Sequence, residues 1–260
     1  MKKRIALITG GAKGIGKKIT RTLASHGYTV IINYLHSKEE ATELAKELVR
    51  MGKEAYTIQA DVSKKEGVRR LFEEIEWKIG KIDILIHSVG PFIRERKTFY
   101  EMTLEEVDEM INGNLQSALY TTHFSLNNMR EQQFGRIIFF GFHRASEAPA
   151  WPDRSVYAAA KVGLVSFCKT LAVEEAPFGI TVNMLCPGDI IGENKEKSII
   201  EVLNQKDQES LRGRPGTGED IARIIPFLLE EDSDFITGNI ISISGGLDII
   251  HPFSKQGIRK

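Results

Sequence analysis

Tyr157 and Lys161 are four residues apart in the run Tyr157-Ala158-Ala159-Ala160-Lys161. That spacing sets two side chains on one face of a helix. A phenol titrates near about 10 and is a poor acid at neutral pH, but a neighbouring ammonium favours its ionised form and lowers that value. Such a phenol can give a proton to a carbonyl oxygen as hydride reaches the carbon. A second run able to do chemistry lies near the amino terminus, Thr9-Gly10-Gly11-Ala12-Lys13-Gly14-Ile15-Gly16. Its glycines let the backbone turn tightly and approach a pyrophosphate, whose charge is met by a helix amino terminus. A bare glycine triplet marks only a turn; between a strand and a helix it marks a dinucleotide cradle.

Both groups depend on elements that bring them to one place. The runs IALIT (5–9), YTVIIN (28–33), AYTIQA (55–60), DILIHS (83–88), RIIFF (136–140), TVNML (181–185) and NIISI (239–243) read as strands. Helices are expected over about 15–25, after Ser37 and Ser63, from Thr103 to near Met129, over 156–176 and after Thr217. Glu40, Glu66, Glu106 and Asp220 each stand three residues after a Ser or Thr, a capping-box pattern. Strands apolar on both sides and separated by helices predict an α/β fold, a doubly wound, seven-stranded parallel sheet with helices on both faces. Repeats and linkers are absent from the sequence, so residues 1–260 are expected to form one Rossmann-type domain. The irregular stretch 186–216 holds Pro187, Gly188, Gly192, Gly213 and Pro215, and is expected to supply a lid over about 188–214.

Apolar residues make up 42% of the chain and charged residues 27%, which excludes collagen-like and disordered classes. Lys and Arg number 35, as do Asp and Glu, so no general attraction to nucleic acid or an anionic membrane is expected. The apolar run 5–8 is too short for a signal-peptide core, and no stretch approaches the roughly 20 apolar residues of a spanning helix. Cys168 and Cys186 read as buried small apolar residues. No metal site is expected, and the location expected is cytoplasmic.

The G-x-x-x-G-x-G loop, Asp61-Val62 after the third strand, Asn114, Tyr157 with Lys161, Pro187-Gly188 and Gly245-Gly246 stand in the order of one known pattern. In these motifs the chain resembles the short-chain dehydrogenase/reductase family, over nearly its whole length, and within it the 3-oxoacyl carrier-protein reductases. The resemblance implies a nicotinamide dinucleotide held by Thr9, Gly10, Gly11, Lys13, Gly14, Ile15, Gly16, Asp61, Val62, Ser88, Gly90, Tyr157, Lys161, Pro187, Gly188 and Ile190. It implies Tyr157 as acid/base, Lys161 on the nicotinamide ribose, and Asn114 holding a water that passes protons to Lys161. An NAD site needs a carboxylate at the end of the second strand. Here the strand ends Ile32-Asn33-Tyr34, and His36, Ser37 and Lys38 follow. With Lys13 in the glycine loop, NADP(H) is expected in preference to NAD(H), with Asn33, Tyr34, His36 and Ser37 at its adenosine end. A homotetramer or homodimer is also implied, with aromatic residues at Phe134 and Phe178 as candidates for a subunit contact.

Two departures bear on the reaction. The family's active-site Ser falls on Phe142 or Arg144, depending on the direction of counting. His143, Ser146 and Ser155 are the polar candidates nearby; Ser146 is taken as the replacement, and Ser155 as the cap of the helix carrying Tyr157. After the fourth strand, His87-Ser88-Val89-Gly90 replaces the family's usual N-N-A-G and resembles the enoyl-reductase branch. His87 is read as a hydrogen-bonded structural imidazole rather than a base. The expected activity is NADPH-dependent reduction of a carbonyl, on a 3-oxoacyl thioester or another ketone. The alternatives are reduction of an activated C=C bond and a catalytically weak NADP-binding sensor or assembly subunit. Phe92, Phe142 and Trp151 make either an apolar substrate wall or ordinary packing. Arg94, Arg96 and Lys97 read as a solvated loop, or else attract an acidic substrate.

Overall fold

Seven strands lie side by side and parallel in the order β3-β2-β1-β4-β5-β6-β7. They are β1 (Ile5–Thr9), β2 (Thr29–Tyr34), β3 (Ala55–Gln59), β4 (Ile84–His87), β5 (Gly135–Phe140), β6 (Ile180–Pro187) and β7 (Ile240–Ile243). The computed structural model describes residues 3–208, 210–246 and 250. Every residue of β2, β4 and β5 is buried, as both-sided coverage requires, whereas the edge strand β3 is mostly open. Two apolar clusters fill the two faces. Leu7, Ile31, Leu85, Ile137 and Val182 point to one, and Ile8, Ile32, Ile86, Ile138 and Leu185 to the other. This is the doubly wound sheet expected from the alternation of runs.

The helices are α1 (Gly14–Ser25), α2 (Lys38–Arg50), α3 (Lys65–Lys78), α4 (Leu104–Ile111), α5 (Ser117–Glu131), α6 (Ser155–Glu175), α7 (Gly218–Ala222) and α8 (Ile225–Leu229). The single helix expected from Thr103 to Met129 is interrupted by a π turn at Asn112–Gln116. That extra residue in the turn disturbs the regular ladder at Asn114. Pro226 separates α7 from α8, because its ring cannot continue the preceding helix. Two expected capping boxes form, at Thr103 with Glu106 and at Thr217 with Asp220. Two do not. Ser37 makes no capping hydrogen bond, and Ser63 donates to Asp61 at 2.6 Å while Lys64 takes the N-cap position. Ser155 is the first residue of α6 rather than its cap, which is Arg154.

Residues 155–178 do have the length and apolar composition of a spanning segment, contrary to the sequence expectation. They are explained by the core: α6 packs on β6, and Leu164, Cys168 and Leu171 are buried there. Strand order reverses between β1 and β4, and a crevice opens beyond their carboxyl ends.

Candidate active site

The register pairs Thr9 at the end of β1 with His87 at the end of β4. The Thr9 hydroxyl accepts from the Ser88 and Val89 amides at 3.0 and 3.2 Å, fixing the loop that follows β4. His87 contacts the hydroxyls of Thr9, Ser117 and Thr121 at 3.3, 3.0 and 3.1 Å. Burial drives its pKa down to about 3, with the Lys161 charge adding to the fall, so the imidazole is neutral and structural. Thr9 itself is fully buried and does not line the crevice; it braces the wall instead of contacting a ligand.

The crevice has two lobes of about 750 and 820 Å³ that share Gly10, Lys13, Ser88 and Gly90. The first is lined by Gly14, Ile15, Gly16, Tyr157, Lys161, Pro187, Gly188 and Ile190. The second is lined by Asn33, Tyr34, His36, Ser37, Asp61 and Val62. Gly10 and Gly14 have φ of 63° and 57°, values that favour glycine, and a Cβ on Gly16 would sit 2.3 Å from the Gly10 carbonyl oxygen. Gly11 lies behind the loop, bonded to the Asn33 carbonyl at 3.1 Å, and lines neither lobe. Asn33 borders the second lobe, but its amide donates inward to the Ile58 and Ala60 carbonyls at 3.4 and 3.1 Å. Its expected role as a phosphate donor is thereby corrected: the NH2 group ties β2 to β3.

Tyr157 and Lys161 stand one turn apart on the wall of the first lobe, as the spacing predicts. The Lys161 nitrogen is 5.9 Å from the Tyr157 ring centroid. Lys161 is 4% exposed and has no hydrogen-bond or ion-pair partner among the described residues. Burial lowers its pKa to about 8. Asn114 is buried; its amide donates to the Pro91 and Met110 carbonyls at 2.9 and 3.1 Å, and its Oδ1 has no partner among the described residues. A Cβ built on Gly90 would meet that Oδ1 at 2.8 Å and Lys161 Nζ at 3.0 Å. Only a glycine therefore leaves the two polar atoms space to meet across residue 90. The expected lowering of the phenol by its ammonium neighbour is reversed: burial pushes Tyr157 up, and the Cys186 thiol beneath adds to the rise. In the open crevice the phenol keeps its proton.

Aromatic rings surround that phenol. Phe92 packs edge-on at 4.9 Å, Trp151 at 6.0 Å and Phe142 at 6.1 Å between ring centroids. Phe142 thus stands where a hydroxyl donor was sought. Ser146 does not replace it: the residue is exposed on a 3-10 turn, Ala145–Glu147, outside the lining of the crevice. His143 does not line it either. Arg144 and Ala148, with φ of 66° and 48°, flank this turn in the left-handed region, and it is Ala145 rather than Ser146 that packs inward. Phe134 is buried beneath the guanidinium groups of Arg4 and Arg136, at 3.6 and 4.3 Å, so it is not an exposed subunit contact. Arg130 stacks on Phe178 at 4.2 Å in the same manner.

Three residues at or beside the crevice carry no site assignment from the sequence, where Glu40 reads only as part of a capping box. Glu40 on α2 pairs with Lys13 at 2.5 Å, beside the second lobe. Glu196, from the expected lid, accepts from the Gly14 amide at 2.9 Å and pairs with Lys17 at 2.7 Å. Arg154 lines the first lobe. Only Arg154 carried a signal, its place at the start of the helix that bears Tyr157.

A family model described as "Enoyl-(Acyl carrier protein) reductase" matches residues 10–248. The chain belongs to the short-chain dehydrogenase/reductase family. Membership makes it an oxidoreductase. It is 47% identical to YtkK of Bacillus subtilis over 249 residues, covering 95% of this chain and 98% of that protein. It is 36% identical to the acetoacetyl-CoA reductase of Shinella zoogloeoides, covering 94% and 98%. The 3-oxoacyl-(acyl-carrier-protein) reductase FabG of Staphylococcus epidermidis is 32% identical, covering 93% and 98%. Among short-chain dehydrogenase/reductase structures, one from Bacillus thuringiensis is 47% identical with a TM-score of 0.88, covering 96% of this chain and all of that one. A blue fluorescent protein from a metagenomic library, solved with NADPH, is 29% identical with a TM-score of 0.81, covering 94% and 97%.

Proposed function

We propose that this protein is an NADPH-dependent reductase of a ketone carbonyl, a 3-oxoacyl thioester or another ketone, with Tyr157 as proton donor. The observation that carries this reading is the buried, unpartnered Lys161 ammonium beside the orphaned Asn114 Oδ1, one helical turn from a phenol facing the same crevice. The residues fit a dinucleotide: the glycine loop, Ser88, Gly90, Pro187, Gly188 and Ile190 would hold its nicotinamide half, and Tyr34, His36, Ser37, Asp61 and Val62 its adenosine half. When bound, the cofactor supplies the hydride. Tyr157, kept protonated by burial, gives its proton to the substrate oxygen as charge develops there. Lys161 would hold the nicotinamide ribose, and Asn114 would hold a water that passes protons to Lys161. Lys13, His36 and Ser37, with no acid at the end of β2, support NADPH over NADH, as does the NADPH held by a structural relative.

Residues 1–260 would act as one domain with its lid over about 188–214. Two free cysteines accord with a cytoplasmic location, and exposed Leu104 on α4 and Val173 on α6 support a homotetramer or homodimer. The C=C reading draws on the matching family model but loses His87, which is neutral and fully engaged. The test is NADPH oxidation with acetoacetyl-CoA, simple ketones and crotonyl-CoA, beside Tyr157→Phe. Ketone turnover lost in the variant supports the proposal. Turnover of crotonyl-CoA alone would replace it with C=C reduction, and cofactor binding without any turnover would favour a sensor.

A further inference from the structure

The first lobe is far more basic than a dinucleotide requires. Lys13, Arg94, Arg96, Arg154, Lys161 and Lys195 line it against a single acid, Asp189. Lys13 and Lys195 lie at the glycine loop, the latter packed against Gly14. Lys161 belongs with Tyr157. Three arginines remain, all on the side of the crevice formed by Phe92, Phe142 and Trp151.

Arg154 is the ordered member of this group. Its guanidinium lies over the Phe92 ring at 4.9 Å and donates to the Glu95, Asp153 and Arg94 carbonyls at 2.7 to 2.9 Å. Those bonds shape the 94–95 backbone and neutralise none of its charge. The Arg94 side chain is exposed, lines the lobe and has no partner among the described residues. Arg96 reaches Asp153 at only 3.5 Å, with 70% of its side chain exposed. Lys97, by contrast, is tied to Glu106 at 2.5 Å and lines no part of this lobe. The positive surplus is therefore aimed at the crevice. The Arg154 guanidinium lies 4.9 Å from the Phe92 ring centroid, which lies 4.9 Å from that of Tyr157.

Resting on the reductase reading above, we propose that the substrate is a compact ketone bearing an oxyanion a short chain away from its carbonyl, bound by Arg94 and Arg154 while the aromatic rings enclose the carbonyl. Guanidinium groups bind carboxylate and phosphate through paired, charge-assisted hydrogen bonds. The short reach favours a small oxo acid over a coenzyme A thioester, whose phosphates lie beyond its pantetheine arm. The arrangement also helps to explain how a site with Phe142 in place of a hydroxyl holds its substrate in register: orientation comes from the far end of the molecule.

The experiment compares levulinate, its methyl ester, acetonylphosphonate and acetoacetyl-CoA as substrates with NADPH, in the wild type and in Arg94→Gln and Arg154→Lys. Binding of levulinate and its ester is also followed by quenching of Trp151 fluorescence in a Trp77→Phe background. The expected result is a kcat/KM and an affinity about 10- to 100-fold greater for the acid than for the ester. That ratio should fall about tenfold in Arg94→Gln, and high salt should lower it too. Arg154→Lys keeps the charge but loses the planar fork, and should lose part of the ratio. Preference for acetonylphosphonate over levulinate would mark the oxyanion as a phosphate rather than a carboxylate, and would also support the proposal. Equal use and equal binding of acid and ester would overturn it while leaving carbonyl reduction intact. A preference for acetoacetyl-CoA that Arg94→Gln leaves untouched would overturn it as well. Absence of ketone turnover, with acid-selective quenching retained, would strike the reductase reading and not the anion site.

Discussion

Replacing Lys161 with Met should make the protein more stable at neutral pH in the absence of nucleotide. The ammonium is buried without a partner, and its pKa falls from 10.5 to about 8. At about 1.4 kcal/mol per unit, the charged form costs the folded state roughly 3 kcal/mol. Methionine fills the same space with no charge to desolvate. The sign follows from proton binding. Below about pH 8 the lysine is charged in both folded and unfolded chains, and the cost is fully present. Between about 8 and 10.5 the unfolded chain holds a proton that the folded chain has released, so wild-type stability rises with pH. Urea unfolding at pH 7 should therefore show Lys161→Met more stable by up to about 3 kcal/mol, and the gap should close as the pH approaches 10. His87 and Cys186 both feel the Lys161 charge, but His87 titrates at about 3 and the buried Cys168, Cys186 and Tyr157 are pushed up to about 12 or beyond, so in the folded chains none of them titrates between pH 7 and pH 10. NADPH should stabilise the wild type more than the variant. A variant that is less stable at pH 7, or a gap that stays constant from pH 7 to pH 10, would refute the claim that an uncompensated charge sits at this position.

The same titration predicts that the rate of ketone reduction falls above about pH 8, as Lys161 loses the proton that replenishes Tyr157; a pH profile of kcat that stays flat to pH 9.5 would contradict it. Glu40→Gln frees Lys13 from its 2.5 Å partner and should raise the affinity ratio of NADPH to NADH by about two- to fivefold, read by fluorescence titration. An unchanged ratio would show that Lys13 does not face the 2′-phosphate. Gly90→Ala places a methyl group 2.8 Å from Asn114 Oδ1 and 3.0 Å from Lys161 Nζ. It should destabilise the protein by about 1–3 kcal/mol and lower kcat by more than its effect on KM. Equal kcat in the variant would separate Asn114 and Lys161 from the proton path.

Much of the fold could be read from local pattern because each central strand is buried on both faces, so its apolar run is unbroken and its ends are sharp. The glycine loop and the Tyr157–Lys161 pair were legible for a similar reason: both are short-range features whose geometry one turn or one helix fixes. The π turn at Asn112–Gln116 was not, since a single extra residue within a helical turn leaves the amphipathic pattern of its flanks intact. Ser37 and Ser63 show the limit of capping patterns: neither oxygen accepts from the free amides of its helix end, and the Ser63 hydroxyl donates to Asp61 instead. The effect of Lys161 on Tyr157 was misjudged because sequence spacing reports proximity but not desolvation, and desolvation dominates here. Ser146 does not serve because it takes the exposed side of a 3-10 turn whose inward side belongs to Ala145, a choice that spacing from Tyr157 does not reveal. Glu196 reaches Gly14 across 182 positions, from a segment with no periodicity to betray it.

That last contact joins the start of α1 to the loop that follows β6. The first amide of α1 points along a helix axis whose positive end is suited to phosphate, and a carboxylate from the far loop already satisfies it. Shifting that carboxylate lays bare the helix end and unfastens the loop in one movement. The protein thus carries an internal counter-anion at the start of α1, and a phosphate seated there would have to displace it.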